Sequence, residues 1–200
     1  NAFLATKISY INELANLCEK IGVNIQDISI GMGLDQRIGD RFLRAGPAYG
    51  GSCFPKDTRA LIDVADKYKS DLSIIKSVIK SNNQRKIALT KRIDKILNNR
   101  LKNKNITFLG VTFKPNTDDM REASSIPMIN YLNKKGSKIR YYDPSGKKKE
   151  FDKLKNVKFC SSISLACIKS DLIIIHTEWN AFKLLNFKKL VKKKNFKVFD

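Results

Sequence analysis

The stretch GGSCFPKD, from Gly50 to Asp57, sets one cysteine between two glycines and a proline. If Pro55 opens a helix, Cys53 lies at its start, where free backbone N–H groups and the positive end of the helix dipole favour an anion. Lys56 also favours the thiolate, and Asp57 shares a helix face with the sulfur, where it can orient a water or a proton donor. This pattern suits covalent chemistry at a carbonyl, although a cysteine at a helix start can also simply pack.

The other cysteines do not extend this chemistry. Cys18, Cys160 and Cys167 are widely spaced, the chain has no CxxC pair, and it contains one histidine. Neither a zinc site nor a disulfide framework is therefore indicated. Cys18 falls on the apolar face of the first predicted helix and is interpreted as a core residue.

A second group of polar residues lies in FLGVTFKPNTDDMRE, residues 108–122, which reads as a strand running into a loop. The segment has a single glycine, Gly110, so it is neither a GxGxxG turn nor a P-loop. Lys114 and Arg121 are suitable phosphate donors, but they can equally form surface ion pairs with the acidic residues of the same loop, Asp118, Asp119 and Glu122.

A third group, DQRIGDRFLRAGPAYGG, interleaves arginines with aromatic residues before two glycines. Such a loop can stack a base and hold phosphates, and an ordinary basic loop has the same spacing. The only histidine, His176, directly follows the most apolar strand and is interpreted as a structural residue of a crevice rather than a catalyst, since no paired carboxylate motif accompanies it.

The elements that must position these groups change character near residue 100. Apolar residues at helical spacing predict a helix over residues 2–21 that stops at Gly22, a short helix after Asn24, a third from Pro55, and a fourth of more than twenty residues. No convincing strand precedes Asn99. The sequence therefore predicts a helical domain over residues 1–99.

From residue 100 to 200, strands alternate with helices. NITFLGV, KIRYYDP, VKFC, DLIIIHT and KVFD read as strands, whereas SSIPMINYLNKKG, SISLACIKS and AFKLLNFKKLVKK read as helices. This alternation predicts a Rossmann-like α/β domain with a mainly parallel sheet, whose ligand crevice lies at the carboxyl ends of the strands.

Composition narrows the class of protein. The formal charge of +20 invites a nucleic-acid interpretation, but the lysines are scattered, no recognition motif is present, and a basic field also gathers small phosphorylated molecules. No apolar run approaches the roughly 20 residues of a membrane-spanning helix. The first residues lack the pattern of a signal peptide, so we expect a cytoplasmic protein that binds neither nucleic acid nor membrane.

Taken together, NAFLATKISYINE, GLDQRIG, GGSCFPKD and FKPNTDDMRE resemble the UDP-glucose/GDP-mannose dehydrogenase family over essentially the whole chain. The resemblance implies an α-helical middle domain that forms a homodimer, followed by an α/β domain that binds the UDP-sugar. It implies an NAD-dependent enzyme that oxidises the primary alcohol of a nucleotide sugar twice, through a cysteine thiohemiacetal and thioester. The residues of NAFLA and DQRIG favour UDP-glucose as the substrate, with UDP-glucuronate as the product used in polysaccharide synthesis.

The resemblance also assigns roles to individual residues. Cys53 is the nucleophile, Asp57 assists proton transfer and hydrolysis, and Asn1 is the active-site asparagine that also contacts substrate. Lys56 and Arg121 match positions that contact NAD. The remaining substrate-binding positions are Arg37, which reaches the substrate of the neighbouring subunit, and Phe42, Arg44, Gly46, Tyr49, Gly50, Phe113 and Lys114.

Three departures from the family pattern accompany the match. Ala48 stands where many members have glycine. The resemblance further implies that the N-terminal dinucleotide domain, and a substrate-binding arginine after residue 200, lie outside the chain, so we expect these residues alone to have no turnover. The alternatives are a dehydrogenase of UDP-N-acetylmannosamine or GDP-mannose, or a non-catalytic module that binds UDP-sugar or nucleic acid.

Overall fold

The computed structural model describes residues 1–200, which divide into two compact units, Asn1–Lys86 and Ile87–Asp200. This division falls inside a long helix, whereas the boundary expected from the sequence, between residues 99 and 100, follows the end of that helix. The difference arises because Leu89, Ile93 and Leu97 pack in the core of the second unit.

The first unit is built from helices, as predicted. They are α1 (Ala2–Ile21), α2 (Ile25–Gly33), α3 (Cys53–Lys67) and the first part of α4 (Ser73–Ile96). Gly22 ends α1 at φ 73°, a left-handed conformation that suits glycine, and the Asn24 side chain caps α2 by accepting from the Gln26 N–H at 3.0 Å. Cys18 is 2% exposed, which confirms it as a core residue.

The second unit contains five parallel strands in the order β3-β2-β1-β4-β5. They are β1 (Asn105–Leu109), β2 (Lys138–Tyr142), β3 (Val157–Phe159), β4 (Leu172–Ile175) and β5 (Lys197–Phe199). Helices α5 (Ser125–Lys134), α6 (Ile163–Cys167) and α7 (Phe187–Val191) connect them, with 3-10 turns at Lys149–Phe151 and Asn180–Phe182. The expected fold class, helices followed by a parallel Rossmann-like sheet, is confirmed.

One predicted helix is wrong. The segment AFKLLNFKKLVKK was expected to form a single helix, but it forms a 3-10 turn and then the separate α7. The reason lies at Asn186, which has an extended backbone and accepts a hydrogen bond from the Lys189 N–H at 3.2 Å, so a new helix starts there.

Both faces of the sheet are covered. In β4, Leu172 and Ile174 pack in one apolar cluster while Ile173 packs in another, which is the arrangement of a strand buried on both sides. The strand order reverses between β1 and β4, so the ligand crevice of a doubly wound sheet is expected at the carboxyl ends of these two strands. No helix in the structure has the length and apolar character needed to cross a bilayer.

Candidate active site

Cys53 is the first residue of α3, directly after the Ser52 cap position. Its side chain is exposed, and the Sγ lies 3.7 Å from the Ser52 Oγ, whereas Cys18, Cys160 and Cys167 are buried. Pro55 follows in the first turn, where its missing N–H leaves no unpaired donor. The predicted helix start is confirmed, and the sulfur lies at the positive end of the helix dipole, accessible to a reactant.

Asp57 lies one turn further along α3 and joins two other residues of the predicted site. The Asn1 Nδ2 donates to Asp57 Oδ2, and the Lys56 ammonium lies 2.6 Å from Oδ1. The hydrogen bond from Lys56 and then that from Asn1 hold the pKa of Asp57 below its ordinary value. Asp57, through its hydrogen bond and then its charge, raises the pKa of Lys56, with a smaller electrostatic contribution from Cys53. Asp57 is therefore an anion and Lys56 a cation at neutral pH.

The segment from Phe42 to Gly50 is fastened to the first unit by side-chain amides. The Asn82 side chain accepts from the Tyr49 N–H at 2.9 Å and donates to the Tyr49 carbonyl at 3.0 Å. The Gly46 N–H donates to Asn12 Oδ1 at 2.8 Å, and Arg85 Nε donates to the Gly46 carbonyl at 3.1 Å. An irregular segment held at its middle and near its carboxyl end in this way has a defined backbone course despite lacking helix or strand.

Aromatic contacts connect this segment to α3. The rings of Phe42 and Tyr49 each make an edge-on contact with Phe54, at centroid distances of 5.9 and 6.0 Å. Since Phe54 follows Cys53 directly, these contacts place the 42–50 segment beside the start of α3. Gly50 is buried, whereas Arg44 is exposed. Ala48 has φ 125°, a conformation that glycine adopts far more easily than alanine.

Arg37 is oriented by a neighbour in the sequence. Its guanidinium forms a two-bond fork with Asp35, with Nε to Oδ1 at 3.0 Å and Nη2 to Oδ2 at 2.6 Å. The side chain is 89% exposed, so the fork presents the arginine to solvent. The hydrogen bonds from Arg37 also lower the pKa of Asp35.

In the second unit, the other predicted residues lie on the loop that follows β1. Phe113 packs at the edge of the core, and the Lys114 ammonium lies 5.4 Å from the centre of its ring. Arg121 forms a fork with Asp119 that repeats the Asp35–Arg37 geometry, with Nε to Oδ1 at 3.0 Å and Nη2 to Oδ2 at 2.8 Å. The ion pair considered for Arg121 is thus present, with Asp119, and it lowers the Asp119 pKa.

The sequence did not single out the buried polar residues beneath this loop. Asp143, at the end of β2, accepts from the Val111 N–H at 2.7 Å and from the Thr112 N–H at 3.4 Å. Thr177, after β4, donates through Oγ1 to the Thr112 carbonyl at 2.7 Å. The only available signal was position, since polar residues that directly follow buried parallel strands lie at the ligand edge of the sheet.

His176 is a buried part of the same network, as its structural interpretation predicted. Its Nδ1 lies 3.0 Å from Thr177 Oγ1 and its Nε2 lies 2.8 Å from Ser124 Oγ. Because Thr177 Oγ1 gives its proton to the Thr112 carbonyl, the Nδ1 must be the donor and the Nε2 accepts from Ser124. Burial lowers the pKa of His176 to about 4, so the ring is neutral at neutral pH.

The structure thus brings the predicted residues together in two sets. Asn1, Cys53, Lys56 and Asp57 meet at the start of α3, with the 42–50 segment beside them. Phe113, Lys114 and Arg121 share the loop after β1 in the other unit.

Two family models account for these two units in order. The central domain of the UDP-glucose/GDP-mannose dehydrogenase family matches residues 1–84, and the UDP binding domain of the same family matches residues 107–200. The chain belongs to the UDP-glucose/GDP-mannose dehydrogenase family. The resemblance drawn from the four motifs is therefore confirmed.

The names of individual relatives agree with this family assignment. The chain is 48% identical over 192 residues to a UDP-glucose 6-dehydrogenase of Rickettsia typhi, and 47% identical over 186 residues to one of Bacillus subtilis. These matches cover 95% and 92% of the chain. The chain spans 44% and 42% of the length of these two relatives.

Solved structures give the same result. A UDP-glucose dehydrogenase from Pyrobaculum islandicum matches with a TM-score of 0.88 at 30% identity, over 100% of this chain and 45% of that one. An NDP-N-acetyl-D-galactosaminuronic acid dehydrogenase from Methanosarcina mazei shares the fold at a TM-score of 0.83 and 24% identity, over 99% of this chain and 44% of that one.

Proposed function

We propose that this chain supplies the nucleophile and the sugar-nucleotide-binding part of an NAD-dependent UDP-glucose 6-dehydrogenase, which oxidises UDP-glucose twice to UDP-glucuronate. The observation that carries the proposal is the exposed Cys53 at the start of α3, beside the ion pair of Lys56 and Asp57. The choice of UDP-glucose is supported by the names of the relatives that are 47–48% identical.

The chemistry proposed for Cys53 follows from its position. After the first oxidation of the alcohol to an aldehyde, the thiolate adds to the carbonyl carbon and forms a thiohemiacetal. A second loss of hydride from that carbon gives a thioester, and water then replaces sulfur, releasing the carboxylate and restoring the thiol. The positive end of α3 stabilises both the thiolate and the oxyanion that develops when carbon–sulfur bonds form or break.

Asp57 and its two partners suit the hydrolytic step. A carboxylate held as an anion can accept a proton from water, and the Asn1 amide on Oδ2 fixes its orientation. The Lys56 ammonium beside Oδ1 remains protonated and adds positive charge near the sulfur. We therefore assign Asp57 to water activation, Asn1 to its orientation and to the substrate, and Lys56 to electrostatic support.

The residues of this chain fit NAD through charge rather than through a dinucleotide turn. Lys56 and Arg121 are largely exposed cations, at 72% and 68%, which suits contact with a pyrophosphate. Gly110 does not open a GxGxxG-type approach, because a Cβ built there would lie 2.5 Å from the Thr177 Cβ, so this space belongs to the chain itself. When bound, NAD accepts the hydride removed in each oxidation.

Sugar-nucleotide contacts are proposed for residues of each unit, taken separately. In the second unit, Phe113 offers an aromatic face and Lys114 a cation for the uridine diphosphate. In the first unit, the fastened segment from Phe42 to Gly50, including Arg44, Gly46 and Tyr49, is proposed to cover the sugar near Cys53.

A homodimer is part of the proposal. Helix α1 exposes Phe3, Tyr10, Leu17 and Ile21, at 51–74%, and their spacing of seven, seven and four residues places them on one face. An apolar stripe of this kind suits a second copy of the chain. The exposed Arg37 is then proposed to reach the substrate of that neighbouring subunit.

The nucleophile is tested by Cys53→Ser in the complete dehydrogenase. The enzyme is assayed with UDP-glucose and NAD, and the UDP-glucuronate formed is measured by chromatography. The rate of its formation is expected to fall by at least about 10³-fold, because an alcohol is a far weaker nucleophile than a thiolate. Cys160→Ser, a buried cysteine, is the control and is expected to retain turnover. Normal UDP-glucuronate formation by the Cys53 variant would refute the proposal. Parallel assays of the complete dehydrogenase with UDP-N-acetylmannosamine and GDP-mannose test the choice of UDP-glucose as substrate.

The dimer is tested by placing a charge on the α1 stripe. Leu17→Glu is expected to shift the chain from dimer to monomer in sedimentation velocity, because it places a charge within the apolar contact. Leu184→Glu alters a 98% exposed leucine of the second unit and serves as the matched control. A monomeric native chain, or a dimer unaffected by the α1 change, contradicts this part of the proposal.

A further inference from the structure

The loop after β1, which carries Phe113, Lys114 and Arg121, has little regular structure of its own. Between the end of β1 at Leu109 and the start of α5 at Ser125, no helix or strand is formed. Within the loop, the Phe113 N–H donates to the Asp119 carbonyl at 3.3 Å, and Thr112 Oγ1 donates to the Lys114 carbonyl at 3.0 Å. Groups from neighbouring elements, Asp143, Lys148 and Thr177, also bond to the loop backbone and help to fix its shape.

Lys148 is one of these groups, and its environment is unusual for a lysine. It lies after β2, is only 4% exposed, and donates to Ser145 Oγ at 2.8 Å, to the Ser145 carbonyl at 3.4 Å and to the Asp118 carbonyl at 3.5 Å. Burying an ammonium is costly unless hydrogen-bond acceptors surround it. Three oxygens fulfil this requirement here, and one of them belongs to the loop.

Ser145 connects this lysine to the group that holds the beginning of the loop. The Ser145 Oγ accepts from Lys148 and donates to Asp143 Oδ1, while Asp143 Oδ2 accepts from the Val111 N–H at 2.7 Å. The chain Lys148–Ser145–Asp143 therefore contacts the loop at Val111 and again at Asp118. One network, in which Asp143 and Lys148 are buried, spans the stretch that contains Phe113 and Lys114.

We propose that Lys148 is a positioning residue for sugar-nucleotide binding: it holds the far side of the β1 loop at Asp118, so that Phe113 and Lys114 face the nucleotide in a fixed arrangement. This rests on the proposed function, because it presumes that the loop binds UDP. Lys148 does not contact the nucleotide itself and acts through the loop backbone.

The test uses Lys148→Met, which keeps the apolar stem and removes the donors, with Lys147→Met as the matched control. Lys147 is the preceding residue, is 63% exposed and pairs with Asp152 at 2.7 Å, so its replacement makes the same change of charge away from the loop. Hydrogen–deuterium exchange of residues 113–121 is measured without ligand, and UDP affinity is measured by titration calorimetry.

Lys148→Met is expected to speed exchange of the loop amides about tenfold and to raise the Kd of UDP about tenfold. Lys147→Met is expected to change either quantity by less than about twofold. Should Lys148→Met fail to fold, Ser145→Ala removes the nearest acceptor of the ammonium and is expected to speed exchange of the same amides to a smaller degree.

Two results would overturn the proposal, and they are distinguishable. If native protein binds UDP but loop exchange in the Lys148 and Ser145 variants equals that of the Lys147 control, Lys148 does not position the loop. If native protein does not bind UDP, the proposed function itself fails, and the positioning role fails with it. The proposal is supported if Lys148→Met shows both faster loop exchange and weaker UDP binding while Lys147→Met shows neither.

Discussion

His176 gives a quantitative prediction, because it is the only histidine of the chain and its protonation is coupled to folding. Burial lowers the pKa of the folded ring to about 4 from its ordinary 6.5. Between these values the unfolded chain binds a proton that the folded chain does not. Stability is therefore lost as the pH falls through this range, with a slope that approaches about 1.4 kcal/mol per pH unit.

The loss of stability caused by protonation of His176 differs between two pH ranges. Between pH 7 and pH 5 the free energy of unfolding is expected to fall by about 2 kcal/mol, and the full effect below pH 4 is about 3 kcal/mol. The carboxylates whose pKa values are lowered in the folded protein, Asp35, Asp57, Asp119 and Asp171, titrate below this window. The loss between pH 7 and pH 5 is thus assigned to His176.

The assay is urea unfolding at pH 7, 6 and 5, followed by the fluorescence of the only tryptophan, Trp179, three residues from the histidine. His176→Gln removes the titrating group and is expected to lower stability at every pH while making it nearly independent of pH between 7 and 5. The proton NMR signals of the ring give a direct second measurement. A ring that titrates near pH 6.5 in folded protein, or an unchanged pH slope in the variant, would refute the reasoning.

Three further predictions concern single residues. Iodoacetamide is expected to modify one cysteine in the folded protein, Cys53, and none in Cys53→Ser, since the other three are buried; mass spectrometry of a second modified site contradicts this. Ala48→Gly is expected to raise the free energy of unfolding by about 1 kcal/mol because φ is 125°, whereas Ala45→Gly, which has no positive φ, lowers it. Gly110→Ala is expected to cost about 3 kcal/mol, because its Cβ would lie 2.5 Å from Thr177 at φ 74°, while Gly136→Ala, whose nearest neighbour is 3.4 Å away, costs about 1 kcal/mol; equal losses in thermal or urea unfolding would refute the steric argument.

Much of the fold could be predicted from local pattern. The end of α1 at Gly22 and the cap at Asn24 follow from residue types whose backbone preferences are strong. The break in the segment after Trp179 could not be predicted, because its apolar residues fit a single helix on spacing alone. Only the capping bond at Asn186 starts α7 as a separate helix. The division of α4 between two cores also has no local signal, since it depends on which distant residues Leu89 and Ile93 contact.

The candidate site divides in the same way. The position of Cys53 at a helix start, one turn before Lys56 and Asp57, follows from the local sequence GGSCFPKD. By contrast, Asp143, Lys148 and Thr177 act on residues 30 to 65 positions away, so their role could be recognised only once the strand order was known. Local motifs identify reactive groups, whereas the groups that support the β1 loop are set by topology.

The β1 loop also bears on how the second unit folds. Its first residues are held by a carboxylate 32 positions later in the chain and by a hydroxyl 65 positions later, both delivered by strands that pair with β1. Parallel pairings of this separation close large loops and form slowly compared with local helices. A nascent chain that has not yet added β4 lacks the bond from Thr177 to the Thr112 carbonyl. If the loop binds the sugar nucleotide as proposed, that binding would report, during refolding, the moment at which the central three strands are complete.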